Sequence, residues 1–272
     1  MASRSALPIL LVAALAVLFA MSYSALSAAS AREPEPEPRL AAAPLPAPPP
    51  PTPADAAKPK PKPRWRSLAS SRRLGHAVAI VRRSVPLRAR PNGRTVARAR
   101  SWTEFGDRRV MSIAAQRGPW LGVVATERPN GELAWVHMEN RGLDFRRTQY
   151  SLHADLSGRW LELRRAGRRV RRLSVAIGRP GSETPTGRFA VTDKLRGSSY
   201  GSYYGCCILA LNAHQPNLPA GWQGGNRIAI HGTNAPGTIG TPASAGCLRA
   251  ADSDLHVLMR RVPLGTPVFI RN

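Results

Sequence analysis

Residues 228–254 read IAIHGTNAPGTIGTPASAGCLRAADSD, and this stretch decides the fold. Its first part, with Asn226 and Arg227, alternates apolar and other residues as a short strand ending at His231. Asn234–Ala243 is rich in Gly and Pro, a loop that can fold the strand end back toward Cys247. Ser244, Ala245 and Gly246 make a small-residue turn before Cys247. The next run, DSDLHVLMRRV (252–262), is the one convincing helix, with Leu255, Leu258, Met259 and Val262 on one face. Asp252 is expected to cap it.

The same pattern of short strands extends outward. WLELRRAGRRVRRLSVAIG (160–178) reads as a hairpin turning at Ala166-Gly167. GRFAVTDKL (187–195) and TPVFIRN (266–272) read as strands. Residues 148–272 are therefore expected to form a mainly β domain with one short helix, long enough for its own core. Upstream, Pro91-Asn92-Gly93 and Pro129-Asn130-Gly131 each lie between apolar runs, a hairpin signal. They predict a small SH3-like β-barrel over residues 65–147, with Trp120 and Trp135 in its core.

The N-terminal part is different. Ser5–Ala31 carries no charged residue after Arg4, and Ala29-Ser30-Ala31 is a small-residue cleavage candidate. Residues 1–31 therefore read as an export signal or as an uncleaved membrane anchor. Either places the remainder outside the cytoplasm, secreted or anchored. Residues 32–64 are a Pro-rich linker, with 13 of the chain's 26 prolines between 34 and 63. Such a segment favours extended polyproline II, rising about 3.1 Å per residue.

The net charge is +24, and seven Lys/Arg against four Asp/Glu in residues 1–64 leave +21 for the rest. That predicts attraction to polyanions. Outside the cytoplasm these are acidic wall polymers or a membrane surface, not nucleic acid. Three cysteines exclude a complete disulfide framework. Cys206 and Cys207, in YYGCCILAL, read as buried apolar residues, with a disulfide to Cys247 left open.

Cys247 reads differently. Small neighbours expose backbone N–H groups that can hold an oxyanion. Arg249 and the start of the helix are expected to favour the thiolate. A nucleophilic cysteine needs a base within reach. Histidines 76, 137, 153, 214, 231 and 256 are available, and His231 is the foremost candidate because it ends a strand facing the loop. There is no C-x2-C, no H-E-x-x-H and no Gly-rich phosphate loop, so neither a metal nor a cofactor is expected.

These segments resemble the L,D-transpeptidase catalytic domain, the YkuD-like family. The resembling parts are IAIHG with SAGCLR, Thr184-Pro185-Thr186-Gly187 within GRPGSETPTGRFAV, and the closing VPLGTPVFI. The resemblance covers roughly residues 150–272 and implies a β-sandwich with a short helix after the cysteine. It implies acyl transfer on peptidoglycan stem peptides in cell wall biogenesis. Cys247 would attack the carbonyl of the third residue, release the terminal D-alanine and pass the acyl group to a neighbouring stem's amine, giving a 3→3 cross-link. By position, His231 is the general base, oriented by the Gly232 carbonyl. Gly246 and Cys247 supply the oxyanion N–H groups, Ser244 supports the turn, and Arg249 steadies the loop or a substrate carboxylate. It also implies that carbapenems acylate the cysteine. The family's His before Gly-Cys is Ala245 here. An L,D-carboxypeptidase using the same thioester and a wall-binding protein with a decayed site are the alternatives.

Overall fold

The computed structural model describes residues 75–272. The signal or anchor, the Pro-rich linker and the start of the β module lie outside the described residues.

Seven short strands form the first sheet: β1 (His76–Val81), β2 (Val85–Arg88), β3 (Thr95–Ala99), β4 (Val110–Arg117), β5 (Trp120–Val123), β6 (Ala134–His137) and β7 (Leu143–Thr148). Their order is β3-β2-β6-β5-β4-β1-β7, and every pairing is antiparallel. Asn92, in the first Pro-Asn-Gly turn, has φ 56°, a left-handed geometry that Asn tolerates. The second Pro-Asn-Gly lies in the connection between β5 and β6, which pair from Trp120↔His137 to Val123↔Ala134. Leu87, Leu121, Val123 and Val136 centre a core of their own. Trp120 and Trp135 are buried, as the alternation predicts.

The second sheet is built from β8 (Tyr150–Asp155), β9 (Trp160–Arg165), β10 (Arg168–Ser174), β12 (Gly187–Arg196), β13 (Cys207–His214), β14 (Arg227–His231), β16 (Leu248–Arg249) and β17 (Pro267–Arg271). Their order is β10-β9-β8-β17-β12-β13-β14-β16. Two short strands, β11 (Ile177–Gly178) and β15 (Pro242–Ser244), pair in parallel with each other. The fold class is mainly β, and α1 (Asp252–Arg261) is the α-helix among the described residues. Ala166 and Gly167 at φ 50° and 81° turn the β9–β10 hairpin, as expected. The helix buries Leu255 and Leu258 against a core built on Phe189, Leu209, Leu211 and Ile230. Val262 closes it, just before Pro263, which disfavours a helical conformation at the residue before it.

Two expectations are corrected. Ala251 occupies the N-cap position, and no side chain caps the helix. Asp252 is the first helical residue, and its carboxylate accepts the Cys206 N–H at 3.0 Å instead. Cys206 and Cys207 form a disulfide with each other, leaving Cys247 free. Cys206 lies in the turn before β13, so the alternation that would separate neighbouring side chains within a strand does not apply to the pair, a geometry that apolarity alone did not suggest.

The two cores belong to one compact unit that takes in all the described residues. Polar contacts tie them together. Arg188 of β12 donates to the carbonyls of Ile113 and Ala114 at 2.7 and 3.2 Å. Asn130 donates to His214 O at 2.6 Å and accepts the His214 N–H at 2.9 Å. Thr103 Oγ1 donates to the buried carboxylate of Asp193. Gly265 packs so tightly on β4 that an added Cβ would lie 2.4 Å from Val110 Cγ1.

Candidate active site

β14 lies between β13 and β16, and this placement builds the site. In register, His231 sits opposite Ile208 of β13 and Arg249 of β16. Side chains alternate along a strand, so Ala229 and His231 share a face. The paired Arg249 shares that face, and Cys247 lies two residues before it, in the turn that enters β16. The segment expected as a strand and a loop over residues 228–249 thus runs as β14, a loop holding β15, and β16 alongside β14.

The His231 ring is fully buried. Its Nδ1 lies 2.6 Å from Gly232 O. A carbonyl only accepts, so Nδ1 carries the proton and the lone pair is on Nε2. Nε2 is buried and has no hydrogen-bond partner. Tyr204 meets the ring edge-on at 4.9 Å, and Tyr203 lies at 5.7 Å. Burial lowers the His231 pKa to about 4; the Gly232 hydrogen bond opposes that and the Arg249 charge adds to it. The imidazole is therefore neutral through the ordinary pH range.

Cys247 is half-buried. Burial pushes its thiol above the ordinary value, and the Ala229 N–H and the Arg249 charge pull against that without offsetting it. The expectation that Arg249 and the helix start would favour a resting thiolate is thereby corrected: desolvation is larger than either attraction.

Ser244 supports the turn, as expected. Its hydroxyl donates to Cys247 O at 2.7 Å and accepts the Gly246 N–H at 3.0 Å. That second bond corrects another expectation, since the Gly246 amide is committed to Ser244 and is not a free oxyanion donor. Gly246 has φ 119°, and a Cβ there would lie 2.2 Å from Gln215 Nε2. Gly232 is equally confined: a Cβ would lie 2.0 Å from Asp252 Oδ1. Its N–H donates to Cys207 O at 3.0 Å, fixing the carbonyl that orients His231.

Arg249 is buried, with its guanidinium 4.5 Å over the Tyr203 ring and a hydrogen bond to the Tyr203 hydroxyl. It forms no ion pair among the described residues, and its Nε has no partner. Arg249 is thus a buried cation without a carboxylate partner among the described residues, and its charge acts on Cys247.

Sequence reasoning missed Tyr203, Tyr204 and Gln215. Gln215 Nε2 donates to Ala245 O at 3.0 Å and to the carbonyls of Ser182 and Glu183 at 3.1 Å each. It fastens the cysteine loop to the segment before Thr184. Two clefts flank it. One, of about 520 Å³, is lined by Gly178, Thr184, Pro185 and Pro216; the other, of about 600 Å³, by Thr126, Asn130, His214 and Gln215. The other five histidines lie elsewhere. His76 and His137 are in the first sheet, His153 stacks on Phe269 at 4.8 Å, His214 faces Thr126, and His256 is exposed on α1. One group of metal-type side chains, Cys206, Cys207 and His256, brings its ligand atoms within 4.8 Å, but both its sulfurs are in the disulfide.

Residues 149–270 match the family model of the L,D-transpeptidase catalytic domain. The resemblance carried by the motifs therefore stands over the C-terminal domain, which matches the YkuD-like family. A Bacillus licheniformis relative named in the L,D-transpeptidase class as YkuD is 32% identical over 123 residues, which is 44% of this chain and 65% of that protein. A Salmonella typhimurium relative named in the same class, ErfK/SrfK, is 32% identical over 111 residues, 36% of each chain. The chain thus spans less than two thirds of these relatives. Among solved structures, Bdellovibrio bacteriovorus Bd1075 is 25% identical with a TM-score of 0.37, covering 46% of this chain and 48% of that one. An L,D-transpeptidase from Mycobacterium smegmatis is 14% identical with a TM-score of 0.36, covering 53% and 76%.

Proposed function

We propose that the protein is an extracytoplasmic L,D-transpeptidase that forms 3→3 cross-links between peptidoglycan stems, with Cys247 as nucleophile and His231 Nε2 as its base. The observation that carries this reading is the disposition of His231. Nδ1 is tied to a carbonyl, Nε2 is bare, and Arg249, the partner of His231 across the β14–β16 pair, lies close enough to Cys247 for its charge to act on the thiol.

In this reading the stem's third-residue carbonyl is attacked by Cys247 Sγ while Nε2 takes the thiol proton. The developing oxyanion is held by the Cys247 N–H, since Gly246 is committed to Ser244. Arg249 receives a substrate carboxylate. The imidazolium then protonates the departing D-alanine amine, leaving a thioester. An acceptor side-chain amine gives up a proton to Nε2 and displaces Cys247, closing the cross-link. Water in place of the amine would give the carboxypeptidase product. Residues 65–147 are read as an SH3-like module that braces the catalytic domain, and the N-terminal segments as signal or anchor and spacer.

The test is intact-mass spectrometry of the purified ectodomain with a carbapenem, followed by a tetrapeptide stem with and without an acceptor stem. One adduct on Cys247, lost in Cys247→Ala and in His231→Ala, supports the reading, and a dimeric stem product distinguishes transfer from hydrolysis. A folded protein that neither takes the adduct nor turns over the stem overturns it.

A further inference from the structure

The β9–β10 hairpin lies at the far edge of the eight-stranded sheet from the candidate site. Residues 164–172 read RRAGRRVRR, six arginines in nine residues. Two carboxylates answer them. Glu162, with its side chain 3% exposed, holds Arg164 at 2.6 Å, Arg172 at 2.7 Å and Arg169 at 3.4 Å. Asp254 holds Arg171 at 2.6 Å. Arg165 has only neutral partners among the described residues, the Gln149 side chain at 3.2 Å and the Tyr150 ring, and Arg168 has no acidic partner among them.

The arrangement is more than a charged edge. A few cations suffice to discourage edge pairing. Here the register aligns Arg169 with Arg164 and Arg172 with Glu162, so one buried carboxylate gathers three guanidinium groups on one face. Glu162 Oε2 takes Arg164, while Oε1 takes Arg172 and Arg169. The Trp160 ring supports Arg172 from 4.2 Å. Arg169 and Arg172 nevertheless remain 59% and 48% exposed. Each of these two guanidinium groups keeps N–H donors that Glu162 does not use, and such forks bind phosphate oxygens in pairs.

The geometry points to the β9–β10 hairpin as the docking surface for a linear, phosphate-bearing polymer laid along the edge strand. A bilayer surface fits less well, because Val170 is the one exposed large apolar side chain of the hairpin and offers nothing to insert. A polymer laid along the strand meets guanidinium groups on a given face at intervals of about 6.6 Å, twice the rise of about 3.3 Å per residue, because side chains alternate. This inference is independent of the catalytic reading, and its test measures no turnover.

The test is equilibrium binding of the purified chain to long-chain inorganic polyphosphate, to phosphatidylglycerol vesicles and to poly-glutamate, across a salt series. The triple variant Arg165→Gln, Arg168→Gln, Arg169→Gln leaves Glu162 paired with Arg164 and Arg172. A control removes three exposed arginines elsewhere: Arg94→Gln, Arg141→Gln, Arg146→Gln. Each lost phosphate contact lowers the log–log salt slope by about 0.7, so three lower it by about 2, equal to roughly fiftyfold in affinity near 0.15 M salt. The hairpin variant is expected to lose this, with the control nearly unchanged and both melting like the parent. The proposal is overturned by equal losses in the two variants, by tighter binding to vesicles or poly-glutamate at equal charge, or by no polyphosphate binding.

Discussion

Replacing Gln215 tests whether the cysteine loop is held by one side chain. The residue is 4% exposed, and its Nε2 serves the carbonyls of Ala245, Ser182 and Glu183 at 3.0 to 3.1 Å. Gln215→Leu removes three bonding groups, the two Nε2 N–H donors shared among these carbonyls and the Oε1 that accepts the Asn217 N–H at 3.0 Å, while keeping much of the volume. At about 1 kcal/mol each, the loss is about 3 kcal/mol. For a unit of this size each kcal/mol moves the melting temperature by about 2–4 °C, so a fall of roughly 10 °C is expected. Gln215→Glu is expected to be worse at pH 8 than at pH 5, because an ionised carboxylate would face three carbonyl oxygens. Gly246→Ala adds a methyl where Nε2 stands, 2.2 Å away. In the Gln215→Ala background that clash is relieved, and the strain of φ 119° and the tight contact with Ile228 Cδ1 at 3.0 Å remain. The two changes together should therefore cost less than the sum of each alone. Thermal denaturation of these variants, with carbapenem acylation rates on the same samples, checks this. A Gln215→Leu protein that melts within 2 °C of the parent, as a rough limit set by that scale, and acylates equally fast refutes the reasoning.

Other outcomes rest on the same geometry. His231 titrates near 4 when folded and near 6.5 when unfolded. The unfolded chain therefore binds the extra proton first, so stability falls as pH drops from about 6.5 to 4, and denaturant midpoints across that range check it. The acid limb of acylation by a carbapenem is expected near pH 4 rather than 6.5. Gly232→Ala places a methyl against Asp252 Oδ1 and displaces the carbonyl that orients His231, so acylation should fall at least about a hundredfold, with circular dichroism reporting the fold. Asn130→Ala strips both bonds from the His214 backbone and should cost about 2 kcal/mol in urea unfolding. Thiol titration of denatured protein should give one free thiol before reduction and three after.

Much of the fold was legible because it rests on period and punctuation. The turn at Ala166-Gly167, the strand ending at His231 and the helix face from Leu255 to Val262 each follow from a local pattern. The nearness of the His231 and Cys247 segments was legible through motif resemblance, and the register of β14 with β16 sets Leu248 and Arg249 beside Ile230 and His231. The features that stayed hidden depend on distant contact. Nothing near Tyr203 and Tyr204 announces that they enclose a histidine far along the chain; only the Ile208↔His231 register brings them there. Gln215 looks like a loop residue, and its function is visible only through the carbonyls it reaches. The availability of the Gly246 amide and the protonation of Cys247 were misread for one reason. Both depend on how neighbouring groups are already spent, by a hydroxyl in one case and by desolvation in the other.

The protonation states also bear on how such a site would fire. In the resting chain the thiol sits above its ordinary value of 9.0 and the imidazole near 4. Burial thus disfavours both charged forms, and moving the proton from Sγ to Nε2 is uphill in the resting chain. Proton transfer must accompany attack, when charge passes from sulfur to the carbonyl oxygen and is met by backbone N–H. Arg249 contributes at that moment, because its charge lies beside Cys247 with no carboxylate to neutralise it. In the proposed mechanism, with Ala245 where the family carries a histidine, the whole proton transfer would fall to His231. Iodoacetamide offers no oxyanion to stabilise, so its reaction with Cys247 should climb only above the ordinary thiol range. A carbapenem carbonyl should react well below it. If both reagents showed the same pH dependence, the thiolate would exist before the electrophile arrives, and the desolvated resting pair would be the wrong description.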